Sequence, residues 1–561
     1  MSFLDLPTEL LLEICNSLQP THILDLACVN PHFQAVFLPL LYKINVLHCK
    51  SSALIWGSRN GASHVVKRIL DHHNADVNTR DQNSRTAIFH AVENQDEVIL
   101  DILLNDHRTK VNCRDRNSQT PLLYALCSRK SSMAYRLLKH LDISVTAEDG
   151  KGRTALWYAI ATHNSRLIQQ LLKKGRSTID IPDILGFSPL SVAIYQGNLP
   201  LVKQLLFLLF HTARHGQHVR GFSSQTAEPD GYDKIPLLCL AVRKRKRKIA
   251  RLLLSYGADV NVQDYLGKTS LHYAAEIGDL NSIAMLLNWD GIELNSTDFL
   301  GRTALQIATE QGYYKIFVLL IKAGADINAV DTYQSTVLHQ ASMKGNISMV
   351  KLLLRIPQVN INAQDIYGST ALCLARGKQV KRLLLACDGV DVNATGLHQT
   401  GALHHAVTEA DLSTTRILLQ HAELDPNQTD DMGWTPLYHA TDSGNLAMVE
   451  LLLTRADIDV NKSAPPPLFV AARYGHVQIF DRLIKMEGVN IHNGWCGTLP
   501  LDVSIARNHC HIVTVLIRQH VKENPNLTTT WFDRALATAR QWGHTDLVRV
   551  LLAIQSIKQQ R

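Results

Sequence analysis

Residues 269–287 read TSLHYAAEIGDLNSIAMLL, 303–321 read TALQIATEQGYYKIFVLLI and 336–354 read TVLHQASMKGNISMVKLLL. Aligned, the three share a Thr at the opening, a Leu two residues on, small residues mid-way, a Gly near the tenth place and a closing apolar run. Extending the register places openings at Ser52, Thr86, Thr120, Thr154, Ser188, Ile235, Thr269, Thr303, Thr336, Thr370, Gly401, Thr435, Pro466, Leu499 and Arg534. These are about fifteen units, mostly 33 or 34 residues apart, and each carries Leu or Ile two residues after its opening.

Each position has a physical reason. A Thr or Ser hydroxyl at the opening accepts from an orphan backbone N–H of a helix start, and Pro121, Pro189 and Pro436 fit the first helical position. Small pairs such as Ala274-Ala275 let neighbouring helices approach. Gly278, Gly312, Gly345 and Gly444 stand where the first helix should stop in a left-handed conformation. Leu280, Ile283, Leu286 and Leu287 recur at helical spacing and predict a second helix. Segments such as GADVNVQDYLGKT (257–269) supply a turn before the next opening.

The pattern resembles the ankyrin repeat. The resemblance implies an all-α solenoid: a stack of helix pairs with short hairpin fingers, each unit advancing about 10 Å, over residues 46–553 with a tail at 554–561. Such an elongated concave surface is suited to holding another macromolecule.

Departures from the period mark local events. The interval from Ser188 to Ile235 is 47 residues, which predicts an exposed polar loop near 207–234. The unit at Thr370 is three residues short and is expected to lose most of its inter-helix turn. At VNKSAPPPLF (460–469) a finger is shortened and prolines replace it.

The first 45 residues follow another logic. Leu10, Leu11, Ile14 and Leu18 share one helical face after Pro7; Ile23, Leu24, Leu26 and Val29 form a second stripe; Phe33, Val36, Phe37 and Leu40 form a third. Three such helices cannot bury their apolar surface among themselves. The stretch LPTELLLEICNSLQPTHILDLACVNPHF (6–33) resembles an F-box, with Leu6, Pro7, Leu10, Ile14, Leu18, Ile23, Leu26, Val29 and Phe33 on the pattern, His22 where Asp is common, and Phe33 where Trp is frequent. The continuation at 40–61 is similar to the junction in fungal F-box–ankyrin proteins. The resemblance implies that residues 1–45 form a small three-helix F-box-like segment whose patterned residues bind a Skp-family adaptor, and through it a cullin. The alternative is that these helices only cap the array.

Composition narrows the classes. Net charge is +7, yet six of those charges lie in one run, Arg243, Lys244, Arg245, Lys246, Arg247 and Lys248, and the other residues sum to +1. A near-neutral body presents no broad basic face for nucleic acid. The run is read as a solvated turn or as a nuclear-import address. The ten cysteines are scattered singly, fitting a reducing compartment. With no signal-peptide pattern and no apolar stretch long enough to span a bilayer, the expected location is intracellular, in the cytoplasm, the nucleus or both.

Finger sequences place Tyr265, Phe299, Tyr333, Tyr367 and Trp434 near one edge as candidate client anchors; the alternative is that the tips pack on each other. His509, Cys510 and His511, and His211, His215 and His218, lack paired metal-ligand spacing, so no metal is expected. No nucleotide, zinc-protease or nucleophile-elbow motif occurs; DGKGRT (149–154) coincides with a finger turn. The expected function is a non-catalytic, cofactor-free subunit that recognises an unidentified client protein for a Skp–cullin–F-box ubiquitin ligase, without a small-molecule substrate or a membrane. The alternative is a nuclear ankyrin scaffold or transcriptional co-regulator.

Overall fold

Thr303 illustrates how a unit starts. Its hydroxyl accepts from Gln306 N–H at 3.3 Å, and the Gln306 carboxamide accepts from Thr303 N–H at 2.9 Å, a reciprocal cap on helix Ala304–Glu310. Leu305, Ile307 and Ala308 are buried, and the chain turns at Gly312 into helix Tyr314–Lys322, which buries Ile316, Phe317 and Leu320. Phe317 is fully enclosed; removing such a ring costs about 3–5 kcal/mol.

The same construction recurs throughout the computed structural model, which describes Glu13 and residues 52–71, 74–175, 178–179, 181–212, 225–228, 231–523 and 528–559. Two bodies are present, residues 1–273 and 274–561. In each, first helices pack on first helices and second on second, so the core runs along the stack as a continuous apolar seam. The chain is an all-α repeat solenoid, as expected.

Gly278 shows why glycine ends a first helix. Its φ is +71°, and an added Cβ would lie 2.8 Å from the Tyr313 ring of the next unit. Both conformation and close approach require glycine there.

Asn side chains tie many of the fingers to the next. Asn328 donates to the Gln358 carbonyl at 2.7 Å and accepts from Asn360 N–H at 2.9 Å. Asn362, Asn393, Asn427 and Asn461 repeat the arrangement in the second body, and Asn78 and Asn112 in the first.

Four expectations change. The insertion is not wholly a loop: helix Leu199–Thr212 extends into it, and strands Gln225–Glu228 and Gly231–Pro236 pair antiparallel, with Thr226 opposite Ile235. The short unit at Thr370 keeps its turn and loses helix: Ala371–Leu374 is a single turn, and Arg376 N–H donates to Ser342 O at 3.0 Å in the preceding unit. The final first helix begins at Thr528, ahead of the Arg534 opening. The stretch expected as a tail is helical as far as Gln559, where helix Thr545–Gln559 ends. The proline finger is held differently from its neighbours, with Ser463 Oγ bonded to Thr435 N–H and Oγ at 3.0 and 2.9 Å.

Candidate protein-binding surface

Aspartates build the fingertips. Asp298 Oδ1 accepts from Leu300 N–H at 3.0 Å and Arg302 N–H at 2.9 Å, and the Asp298 carbonyl accepts from Gly301 N–H at 2.8 Å. Asp331, Asp365 and Asp430 make the same turns. Neighbouring tips are joined through the backbone: Thr332 N–H donates to Leu300 O, and Ile366 N–H to Tyr333 O, each at 2.9 Å. Asp431 N–H donates to His398 O at 3.0 Å.

Because backbone groups make these joins, tip side chains are left on the outside. In the second body Phe299 is 70% exposed, Tyr333 56%, Tyr367 52%, Leu397 52% and Met432 61%. Phe299, Tyr333 and Tyr367 make no ring–ring contact among the described residues. Burying an aromatic ring contributes about 1.5–3 kcal/mol, so these exposed rings on tethered turns leave apolar area that a contact would cover. In the first body, Tyr265 stands at the matching tip and is partly exposed.

Trp434 does not belong to this row. Tyr265 and Phe299 are the first residues after the turn aspartate, Tyr333 and Tyr367 the second, and Trp434 the fourth. It is half-buried and stacks on Tyr438, with ring centroids 4.7 Å apart, and edge-on to His439. The residue at its tip is Met432, which 34-residue spacing alone does not single out.

Histidines position the fingers. The Gly401 N–H donates to His404 Nδ1 at 3.3 Å, and His404 Nε2–H donates to Trp434 O at 3.3 Å in the next finger. His339 bridges Thr336 and Ser369 in the same way. Both rings are therefore neutral with the proton on Nε2, and burial pushes their pKa down, for His404 to about 4.

The basic run has a different setting. Arg243 ends helix Leu237–Arg243, Lys244 to Lys246 form the turn, and Arg247 and Lys248 begin helix Arg247–Ser255. The Lys244 ammonium lies 4.5 Å over the Tyr195 ring, and the Lys246 side chain crosses the position where Gly197 has no Cβ. At the turns of preceding units, Gln95, Arg129 and His163 occupy the left-handed region at φ 58°, 57° and 57°, where a non-glycine residue costs on the order of 1 kcal/mol. A cavity of about 200 Å³ opens between two of these turns, lined by Arg129, Ser131, Thr162, His163 and Asn164 among others.

Among the described residues no group of three His, Cys, Asp or Glu side chains is placed to hold a metal ion, and no helix is long and apolar enough to cross a membrane. His511 faces Asp481 at 3.0 Å, whereas His509 contacts Arg473 O. The expected adaptor-binding residues, from Leu6 to Phe33, and His215 and His218 lie outside the described residues.

A family model described as ankyrin repeats in three copies matches residues 54–149, 136–216, 178–298, 238–331 and 378–464, and a many-copy ankyrin model matches 320–375. An ankyrin repeat protein of Fowlpox virus is 28% identical over 202 residues, covering 35% of this chain and 32% of its own. A second Fowlpox virus ankyrin repeat protein is 43% identical over 144 residues, 26% of each chain. Rabankyrin-5 of Homo sapiens is 29% identical over 149 residues, covering 25% of this chain and 13% of its own. The chain thus spans about a third or less of the length of these relatives. Capped helix pairs, tethered fingers and a family match over most of the sequence agree: this chain belongs to the ankyrin-repeat family.

Proposed function

We propose that this chain recognises a client protein for a Skp–cullin–F-box ubiquitin ligase. An ankyrin array is a protein-interaction scaffold, and the exposed tip row of Phe299, Tyr333, Tyr367 and Met432 gives it anchors of the aromatic and thioether kind that are enriched in interfaces. The ligase assignment rests on one observation, the F-box-like pattern of residues 6–33 immediately before the repeats. The chain performs no chemistry in this reading; it raises the client's local concentration near a ubiquitin-loaded enzyme. It works in the cytoplasm, the nucleus or both, without cofactor or metal.

Affinity purification with the proteasome inhibited tests this, comparing the full chain with one lacking residues 1–45. Adaptor and cullin should co-purify only with the full chain, and clients with both. Clients retained with neither adaptor nor cullin would replace the ligase reading with a scaffold or co-regulator.

A further inference from the structure

The helix pairs spanning 121–139, 155–174, 189–212 and 237–255 contain fifteen Lys and Arg and no Asp or Glu. Carboxylates of the same stretch, such as Asp149 and Asp183, sit in fingers, at the far side of each unit from the inter-helix turns. Summed over the chain the charges nearly cancel; along this edge they do not.

The inter-helix turns adjoin one another in the first body. Lys130 Nζ donates to Glu93 O, Tyr135 Oη donates to Asn164 Oδ1 at 3.0 Å, and Gln196 Nε2 donates to Ile160 O at 2.9 Å. Lys246 packs against Gly197. Along the edge so formed, Arg129, Arg166, Lys203, Arg247 and Lys248 are exposed and pair with no carboxylate among the described residues. Arg129 occupies a left-handed backbone position that glycine fills at Gly197, which costs local stability.

We propose that the edge from Arg129 to Lys248 is a second interaction surface, and that its partner is an extended acidic polypeptide segment. Successive units advance about 10 Å, the rise of three residues of extended chain, so an acidic residue at every third position meets one turn after another. The cavity beside Arg129 and His163 has room for one such side chain. Nucleic acid fits less well, because the edge rings that could stack bases already carry a cation of this chain: Arg166 lies 5.1 Å from the Tyr135 ring centroid and Lys244 4.5 Å from that of Tyr195. The surface is independent of the ligase reading and of the tip row.

The test uses the full chain and a fluorescent peptide of about thirteen residues with Glu at every third position between Gly and Ser. Its anisotropy should report binding that weakens steeply as salt rises. Arg129→Gly with His163→Gly should weaken it roughly tenfold while raising the melting temperature. Gln95→Gly relieves the same strain without removing a basic side chain; it should raise the melting temperature and leave binding unchanged. Lys203→Glu with Lys248→Glu should abolish binding with the helical content intact. Unchanged binding in both basic-edge variants would overturn the proposal, as would no binding at low salt. Equal binding of a peptide with its Glu residues contiguous, or tighter binding of DNA of equal charge, would also overturn it, the latter in favour of nucleic acid.

Discussion

Asn427 reaches across to Asp459 in the following finger, its Oδ1 accepting the Asp459 backbone N–H at 2.8 Å while its Nδ2 donates to Asp457 O at 2.6 Å. One side chain thus closes two bonds between units that share no backbone hydrogen-bond ladder at that point. Each such bond is worth about 1 kcal/mol, so Asn427→Ala should destabilise the second body by roughly 2 kcal/mol in chemical denaturation. Asn427→Asp keeps the acceptor and should cost about half. Hydrogen exchange at the Asp459 amide should accelerate in the alanine variant; unchanged protection would show that the side chain does not carry the join.

Acid should weaken the array before its carboxylates titrate. His339 and His404 accept a backbone N–H on Nδ1, so protonating that nitrogen breaks the bond. Their pKa values are lowered on folding by burial. The stability they contribute is therefore complete above the free-histidine value of about 6.5 and is lost as pH falls below it, for His404 towards about 4. Gln306 fills the same position in its own unit with the same bonds. His339→Gln with His404→Gln should accordingly fold and flatten the fall in melting temperature between about pH 7 and about pH 4.5. A variant as acid-sensitive as the parent would place that sensitivity elsewhere.

The tip row should bind without supporting the fold. Phe299→Ser, Tyr333→Ser and Tyr367→Ser together remove rings exposed to solvent. Client capture in pull-down should fall by at least tenfold, with the melting temperature unchanged to within a degree or two. Loss of helical content would mean that the tips hold one another.

Local rules made the repeat legible. The capping Thr, the Leu two residues on and the left-handed Gly act within one turn, so the openings from Thr86 to Leu499 and the stops at Gly278, Gly312, Gly345 and Gly444 could be read directly. Relations across a unit could not. Asn427 and its counterparts look like turn residues until the next finger is folded against them. The deletion at Thr370 came out of the helix because a connection to Lys378 still needs residues to reverse direction, whereas a shortened helix loses only its last turn. Charge was misleading in sum: Asp149 and Asp183 offset Arg129 and Arg166 numerically, but from fingers rather than from the turn edge. Trp434 was misplaced because spacing measured from aromatic to aromatic ignores position within the Asp430 turn.

The ligase reading stands on the segment before the array. Leu10, Ile14 and Leu18 recur every four residues after Pro7, the sequence spacing of one helical face. An adaptor-binding stripe has to be available to its partner, whereas a capping stripe covers the first repeat. Charges placed in an apolar contact without partners are strongly unfavourable. The decisive measurement takes the full chain with Leu10→Asp and Ile14→Asp, and follows both co-purification of the Skp-family adaptor and thermal melting. Adaptor binding should be abolished while the ankyrin melt is unchanged. Adaptor binding retained alongside a clearly lower melting temperature would contradict it, and would make the segment a cap on the solenoid.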